Sequence, residues 1–290
     1  MASLEILGVP HAYSLSEPRS NRPVFVFLHG WLLSRHYWQP LVDLLSPDFQ
    51  CLAYDLRGFG ESQSVGGGPE DFSPRAYSRD LRALLDALNV DRAWLVGHSL
   101  GGTIALWTAY EDPDRICGTT CVNAGGGIYL AEEFERFRSA GSSILKWRPL
   151  WLQYLFGLDL LFARANVAKM MARRWGKQRL LDFLTADETA ARGALLDSTT
   201  EDEVHKLPHI VAQLAQPAYF VAGVQDTIMP PKYVHHLASF HPNFQNCGAN
   251  TLELDGCGHF AMIEQTERVA DHLREVATDA REPLRETSSP

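Results

Sequence analysis

The segment Gly97-His98-Ser99-Leu100-Gly101 sets a serine between two glycines at the spacing G-x-S-x-G, directly after the apolar run Ala93-Trp94-Leu95-Val96. A serine hydroxyl is a poor nucleophile at neutral pH until a base takes its proton, so its setting decides what it can do. A sharp strand-to-helix turn is such a setting. Glycines two before and two after remove Cβ atoms that would clash, Oγ points outward, and the following helix N-terminus faces any negative charge that forms beside it. The base must be a histidine on another loop, with a carboxylate to orient it. Among eleven histidines, His259 in Asp255-Gly256-Cys257-Gly258-His259-Phe260 follows an apolar run, and its glycines let the loop bring the ring back over the serine. Asp226 follows Ala218-Tyr219-Phe220-Val221-Ala222 and precedes Pro230-Pro231, which puts a carboxylate on a loop between serine and histidine in chain order. His29 and His98 adjoin other strand ends and are expected to orient backbone around the site or to border its pocket. His205, His209, His235, His236 and His241 read as solvated or helix-face residues.

The elements that must position these residues follow an alternating rhythm. Residues 23–28 are a continuous apolar run stopped by His29-Gly30, the pattern of a strand buried on both faces. A helix over 34–45, a strand over 50–54, a helix over 77–88, a strand over 93–96, a helix through Tyr110 and a strand over 116–122 are predicted next. Strands recur at 218–222 and 251–254, with helices near 231–240 and over 265–277. Such alternation implies right-handed crossovers, and the expected architecture is α/β: a mostly parallel sheet of about eight strands with helices on both faces. The rhythm stops between 127 and 214, where Trp-, Leu- and Arg-rich text has helical spacing. This segment is expected to be an inserted helical cap, leaving residues 1–126 and 215–278 as the core domain and 279–290 as a disordered tail.

In these motifs the chain resembles the α/β-hydrolase fold superfamily, in its serine-nucleophile, esterase- and lipase-like branch. The likeness covers about residues 23–277 outside the cap and rests on five stretches in the right order. These are His29-Gly30-Trp31, Asp55-Leu56-Arg57-Gly58-Phe59-Gly60-Glu61-Ser62, the Gly97-to-Gly102 turn, Gly223-Val224-Gln225-Asp226, and Gly256-Cys257-Gly258-His259-Phe260. The resemblance implies Ser99 as nucleophile, His259 as general base and acid, and Asp226 as the orienting carboxylate. It also implies an oxyanion hole made by the backbone N–H groups of Trp31 and Leu100. Dehalogenase and epoxide-hydrolase branches carry aspartate at the turn where this chain has Ser99, so those activities are disfavoured. The Asp55-to-Ser62 loop is expected to be structural, with Arg57 and Glu61 in surface ion pairs.

Composition bounds the alternatives. The chain has 290 residues, 46% of them hydrophobic, enough for a large single core with an insertion. A net charge of −9 repels a phosphate backbone, which argues against nucleic-acid binding. The stretch from Trp147 to Ala163 is broken by Arg148, Pro149, Gln153, Gly157 and Asp159, so no transmembrane helix is expected. Glu5 stands where a signal peptide would be positive, which makes the cytoplasm the expected compartment. Five cysteines, at 51, 117, 121, 247 and 257, form no C-x-x-C pair and read as free thiols. Gly66-Gly67-Gly68 lacks the spacing of a nucleotide loop. No cofactor and no metal is expected.

The expected activity is hydrolysis of a carboxylic ester of a small to medium apolar substrate through an acyl-enzyme on Ser99. Carbon–carbon bond hydrolysis or thioester hydrolysis by the same three residues is the alternative chemistry, and a ligand-binding receptor or scaffold with negligible turnover the alternative class. The cap holds the hints about substrate. Trp147, Trp151 and their apolar neighbours either pack the cap on the core or line the pocket together with Phe260, for an apolar or acyl small molecule. Arg164, Lys169, Arg173, Arg174, Lys177 and Arg179 make the cap a candidate for peripheral contact with a lipid surface. The oligomeric state is left open.

Overall fold

The computed structural model describes residues 2–19, 22–63, 70–125, 131–244 and 248–279. The predicted tail beyond 279, Gly66-Gly67-Gly68 and Cys247 lie outside them. Eight strands form one sheet: β1 (Ala2–Ile6), β2 (Val9–Leu15), β3 (Val24–Leu28), β4 (Cys51–Tyr54), β5 (Ala93–His98), β6 (Ile116–Val122), β7 (Ala218–Gly223) and β8 (Thr251–Leu254). Their spatial order is β1-β2-β4-β3-β5-β6-β7-β8, and from β4 onward every neighbour pair is parallel. The central strands β3, β5 and β6 are buried along almost their whole length because both faces are covered. Val24, Val26 and Leu28 of β3 face α2 (Pro74–Ala87) and α3 (Leu100–Glu111), while Phe25 and Phe27 face α1 (Gln39–Leu45) and the C-terminal helix. Helix α2 starts at Pro74, three residues before the expected 77, because Ser73 caps it: Ser73 Oγ accepts from Ala76 N at 3.2 Å, and Pro74 occupies the first turn.

The antiparallel hairpin β1–β2 has no counterpart in the sequence reading. It turns through Leu7 and Gly8, both at positive φ (51° and 80°), the backbone of a two-residue hairpin loop. Leucine in the first turn position hides the usual Asn-Gly or Asp-Gly signal. Strand β1 is largely exposed, so it lacks the apolar run that marks the central strands.

Between β6 and β7 the described residues form only helices and turns: α4 (Ala131–Leu145), a 3-10 turn (Leu150–Tyr154), α5 (Leu158–Arg164), α6 (Arg173–Thr185), α7 (Glu188–Asp197) and α8 (Glu201–Gln213). Helix α8 packs on α3 and on α9 (Pro231–Ala238), and Trp107 Nε1 donates to Glu203 across that seam. The last helix of the insertion thus belongs to the packing of the sheet, not to a lid above it. Beyond β8 come a short α10 (Ala261–Glu264) and α11 (Thr266–Asp279). The loop after β4 is a buried polar knot. Asp55 accepts from Arg35 N and Glu61 N, Arg35 also pairs with Asp55 and Glu61 through its side chain, and Arg57 pairs with Asp80 at 2.8 Å. Both members of the Arg57–Asp80 pair are inside the protein, which corrects the expected surface pair.

One contact between insertion and core carries a pH prediction. Asp182 of α6 is buried, takes hydrogen bonds from Ser34 Oγ and Gln178 Nε2 at 2.9 Å each, and is pushed by burial up to about 7. The folded state therefore holds a proton that the unfolded chain has released, and stability contributed by this group falls as pH rises from about 4 to about 7. Buried histidines such as His29 and His98, lowered by burial, pull the opposite way, so the difference between variants is the readout. Asp182→Asn should unfold at a temperature that gains on wild type between pH 5 and pH 8. Parallel curves would contradict the buried, proton-holding carboxyl.

Candidate active site

Ser99 sits between the end of β5 and the start of α3 with φ 51° and ψ −118°, backbone that a residue with a Cβ rarely adopts. The chain is held there by Ser99 N donating to Val122 O (3.0 Å) and Gly102 N donating to Ser99 O (2.9 Å). The flanking glycines are sterically required: a Cβ on Gly97 would lie 2.2 Å from Gly101 O, and one on Gly101 would lie 2.3 Å from Leu28 O. Leu100 opens α3, where backbone N–H groups lack an intrahelical partner. Gly30 backs onto the same turn, since its Cβ would stand 3.2 Å from Ser99 Cβ. That places the Gly30-Trp31 backbone beside the serine. The Trp31 ring reaches away from it, donating Nε1–H to Ala191 O of α7 at 2.7 Å, so the loop is pinned from the insertion.

Asp226 and His259 meet in the fold. His259 Nδ1 lies 2.7 Å from Asp226 Oδ2, both groups buried. Asp226 Oδ1 accepts from Ile228 N (2.8 Å) and Met229 N (2.9 Å), and Oδ2 accepts a further bond from Asn123 Nδ2 at 2.9 Å. A carboxylate only accepts, so Nδ1 carries the imidazole proton and Nε2 is left with its lone pair. Among the described residues no hydrogen bond joins Ser99 Oγ to His259, but His98, the residue before Ser99, contacts that histidine directly. The His98 ring stands 4.7 Å from the His259 ring, and His98 Nε2–H donates to His259 O at 2.7 Å.

Several residues acquire a place that their types alone did not indicate. His98 is buried, with Nδ1 turned to Gly30; burial, then His259, hold its imidazole well below the ordinary range, so it is neutral. His29 is also fully buried. Its Nδ1–H donates to Gly30 O (2.8 Å) and its Nε2 accepts from Leu56 N (2.9 Å), so it joins two loops and does not border a pocket. Phe260 is 3% exposed, stacked on His98 at 5.6 Å and edge-on to His259 at 5.7 Å, with the Arg179 guanidinium 4.3 Å above its ring. It is a backing plate for the two imidazoles. Trp147 and Trp151 are 64% and 52% exposed and pack edge-to-face on each other at 5.6 Å. Both rings are more than half exposed on the insertion.

Three residues at the site were missed. Asn123, at the end of β6 with φ 50°, ties Asp226 to the histidine loop by also donating to Gly258 O (3.1 Å) and accepting from Ala261 N (3.3 Å). Asn166, in the insertion, accepts from His259 N at 2.8 Å. Glu264 accepts from Gly258 N and Phe260 N with one oxygen and from Ala168 N with the other. Asn123 alone left a trace in the sequence, as the polar residue closing an apolar strand.

The family model for the alpha/beta hydrolase fold matches residues 23–266. The chain belongs to the α/β-hydrolase fold family. A pimeloyl-[acyl-carrier protein] methyl ester esterase from Xanthomonas campestris is 30% identical over 256 residues, spanning 87% of this chain and 93% of that protein. Among solved structures, a thermophilic esterase from Thermogutta terrifontis matches with a TM-score of 0.75 at 21% identity, covering 97% of this chain and 100% of that one. An enol-lactonase from Burkholderia xenovorans matches at 0.74 and 21%, covering 96% and 100%. At that identity the two structures speak for the fold. This α/β-hydrolase is an enzyme, which sets aside the receptor or scaffold reading.

Proposed function

We propose that this α/β-hydrolase cleaves a carboxylic ester of a small to medium apolar substrate through an acyl-enzyme on Ser99. The observation that carries the reading is the buried Asp226–His259 hydrogen bond beside a serine held at positive φ on the turn into α3. In the proposed reaction Ser99 Oγ attacks the ester carbonyl as His259 Nε2 takes its proton. Asp226 holds the ring in the tautomer that leaves Nε2 open and stabilises the imidazolium that forms. The N–H groups of Leu100 and Trp31 meet the developing oxyanion, where one such donor is worth about 3 kcal/mol in the transition state. His259 then gives the proton to the departing alcohol, and a water activated at the same nitrogen releases the acid. Trp31, clamped to α7, keeps its N–H in place while substrate binds. The Xanthomonas campestris relative has a methyl ester of a carrier-bound acyl group in its name, which supports both the ester and an acyl substrate.

A panel of p-nitrophenyl esters of rising acyl length, run beside thioesters and vinylogous diketones, tests this. Each CH₂ buried in an apolar pocket is worth ~0.8 kcal/mol, so kcat/KM should climb about threefold to fourfold per carbon until the pocket is full. Trp151→Ala should leave the optimum where it is, because that ring faces outward. A flat profile would put the substrate among small polar esters, and turnover confined to thioesters or diketones would replace the ester.

A further inference from the structure

We propose that the outer face of the helical insertion, from Trp147 through the Leu150–Tyr154 turn and α5 to the start of α6, docks on an anionic lipid bilayer. None of the five residues of that turn, LWLQY, is buried. Beside it Tyr154 is 81%, Phe156 96% and Leu161 64% exposed, and the edge-to-face pair Trp147 and Trp151 stands next to them. A cluster of this size is more apolar surface than a free-standing protein exposes without use. It is one surface: α5 packs along α6, and the turn packs on both. Gly157, with φ 84°, reverses the chain before α5 and sets Leu155 and Phe156 at the tip.

Charge decides what covers it. Lys146, Arg164, Lys169, Arg174 and Lys177 are exposed along the same stretch of chain. Asp159, the only acid between Ser143 and Leu181, is already paired with Arg173. This basic ground belongs to a protein of net charge −9. A symmetric dimer through the same face would bring cation against cation. Protruding aromatic rings with Lys and Arg along the same stretch of chain are what a headgroup layer of anionic lipid takes up, the rings entering at the acyl boundary and the cations staying with the phosphates. The inference does not rest on the role of Ser99.

The test is co-sedimentation of the full chain with vesicles of phosphatidylcholine alone and of phosphatidylcholine mixed with phosphatidylglycerol, reading tryptophan emission in parallel. Wild type should pellet with the anionic vesicles, shift its emission to the blue and be released by salt. Tyr154→Asp with Phe156→Asp should abolish binding. Each cation near such a surface is worth about fivefold in partitioning, so Lys169→Ala, Arg174→Ala and Lys177→Ala together should weaken it on the order of a hundredfold. All five side chains are exposed, so unchanged circular dichroism and unchanged hydrolysis of a water-soluble ester will certify the fold. Wild type left in the supernatant, equal binding to both vesicles, binding untouched by either variant set, or patch-dependent association with an acidic soluble protein while vesicles stay bare would each overturn the proposal.

Discussion

Ser99→Ala is expected to lower ester turnover by about five to six orders of magnitude while leaving the protein folded. The separation of the two effects comes from the backbone. The turn is held by Ser99 N to Val122 O and by Gly102 N to Ser99 O, which alanine keeps, and by glycines whose removal would drive Cβ atoms into neighbouring carbonyls. Alanine retains the Cβ of serine and loses only Oγ, so the strain at φ 51° is unchanged. Binding and the backbone N–H donors survive, which leaves a residual rate above that in water. Purified variant with wild-type thermal unfolding and wild-type kcat would remove Ser99 from the reaction.

Asp226→Asn is expected to cost about 10⁴-fold in kcat with little change in KM, and the hydrogen bonds give the reason. Ile228 N and Met229 N both donate to Oδ1, so the oxygen of the new amide must stay on that side. Its NH₂ is then forced toward His259 Nδ1 and Asn123 Nδ2. Facing a donor, the imidazole moves its proton to Nε2, where it can no longer accept one from serine. The neighbouring carboxylates offer no substitute: Asp255 is exposed, and Glu264 is committed to three backbone N–H groups. Asn123→Ala, which removes one charged hydrogen bond from Asp226, should lower kcat by roughly ten- to a hundredfold. Kinetics of Asp226→Asn near wild type, with a dead Glu264 variant, would reassign the acid.

The central strands were legible because a strand covered on both faces reads as a largely apolar run, as β3 and the first four residues of β5 do, although β6 carries Thr119 and Thr120 inside it. The Ser99 turn was legible because close backbone approach admits only glycine at 97 and 101. What escaped was anything decided by a partner far along the chain. Asn123 looks like a strand end until Asp226 is folded against it, and Asn166 shows no link to His259 from ninety residues away. The direction in which the tryptophans point was not legible for a different reason. Trp147 lies in irregular chain and Trp151 in a five-residue 3-10 turn, neither long enough to show an amphipathic period, so both carry apolar type without direction. The contacts of Phe260 with both imidazoles were not legible either, because packing against an imidazole and lining a pocket call for the same residue type.

The most direct measurement is labelling of the intact protein with a fluorophosphonate ester, followed by peptide mass mapping. A phosphonyl adduct should appear on Ser99 alone, form far more slowly in Asp226→Asn, and be absent from Ser99→Ala. An adduct on another serine, or none in a protein that still hydrolyses esters, would contradict Ser99 as the nucleophile.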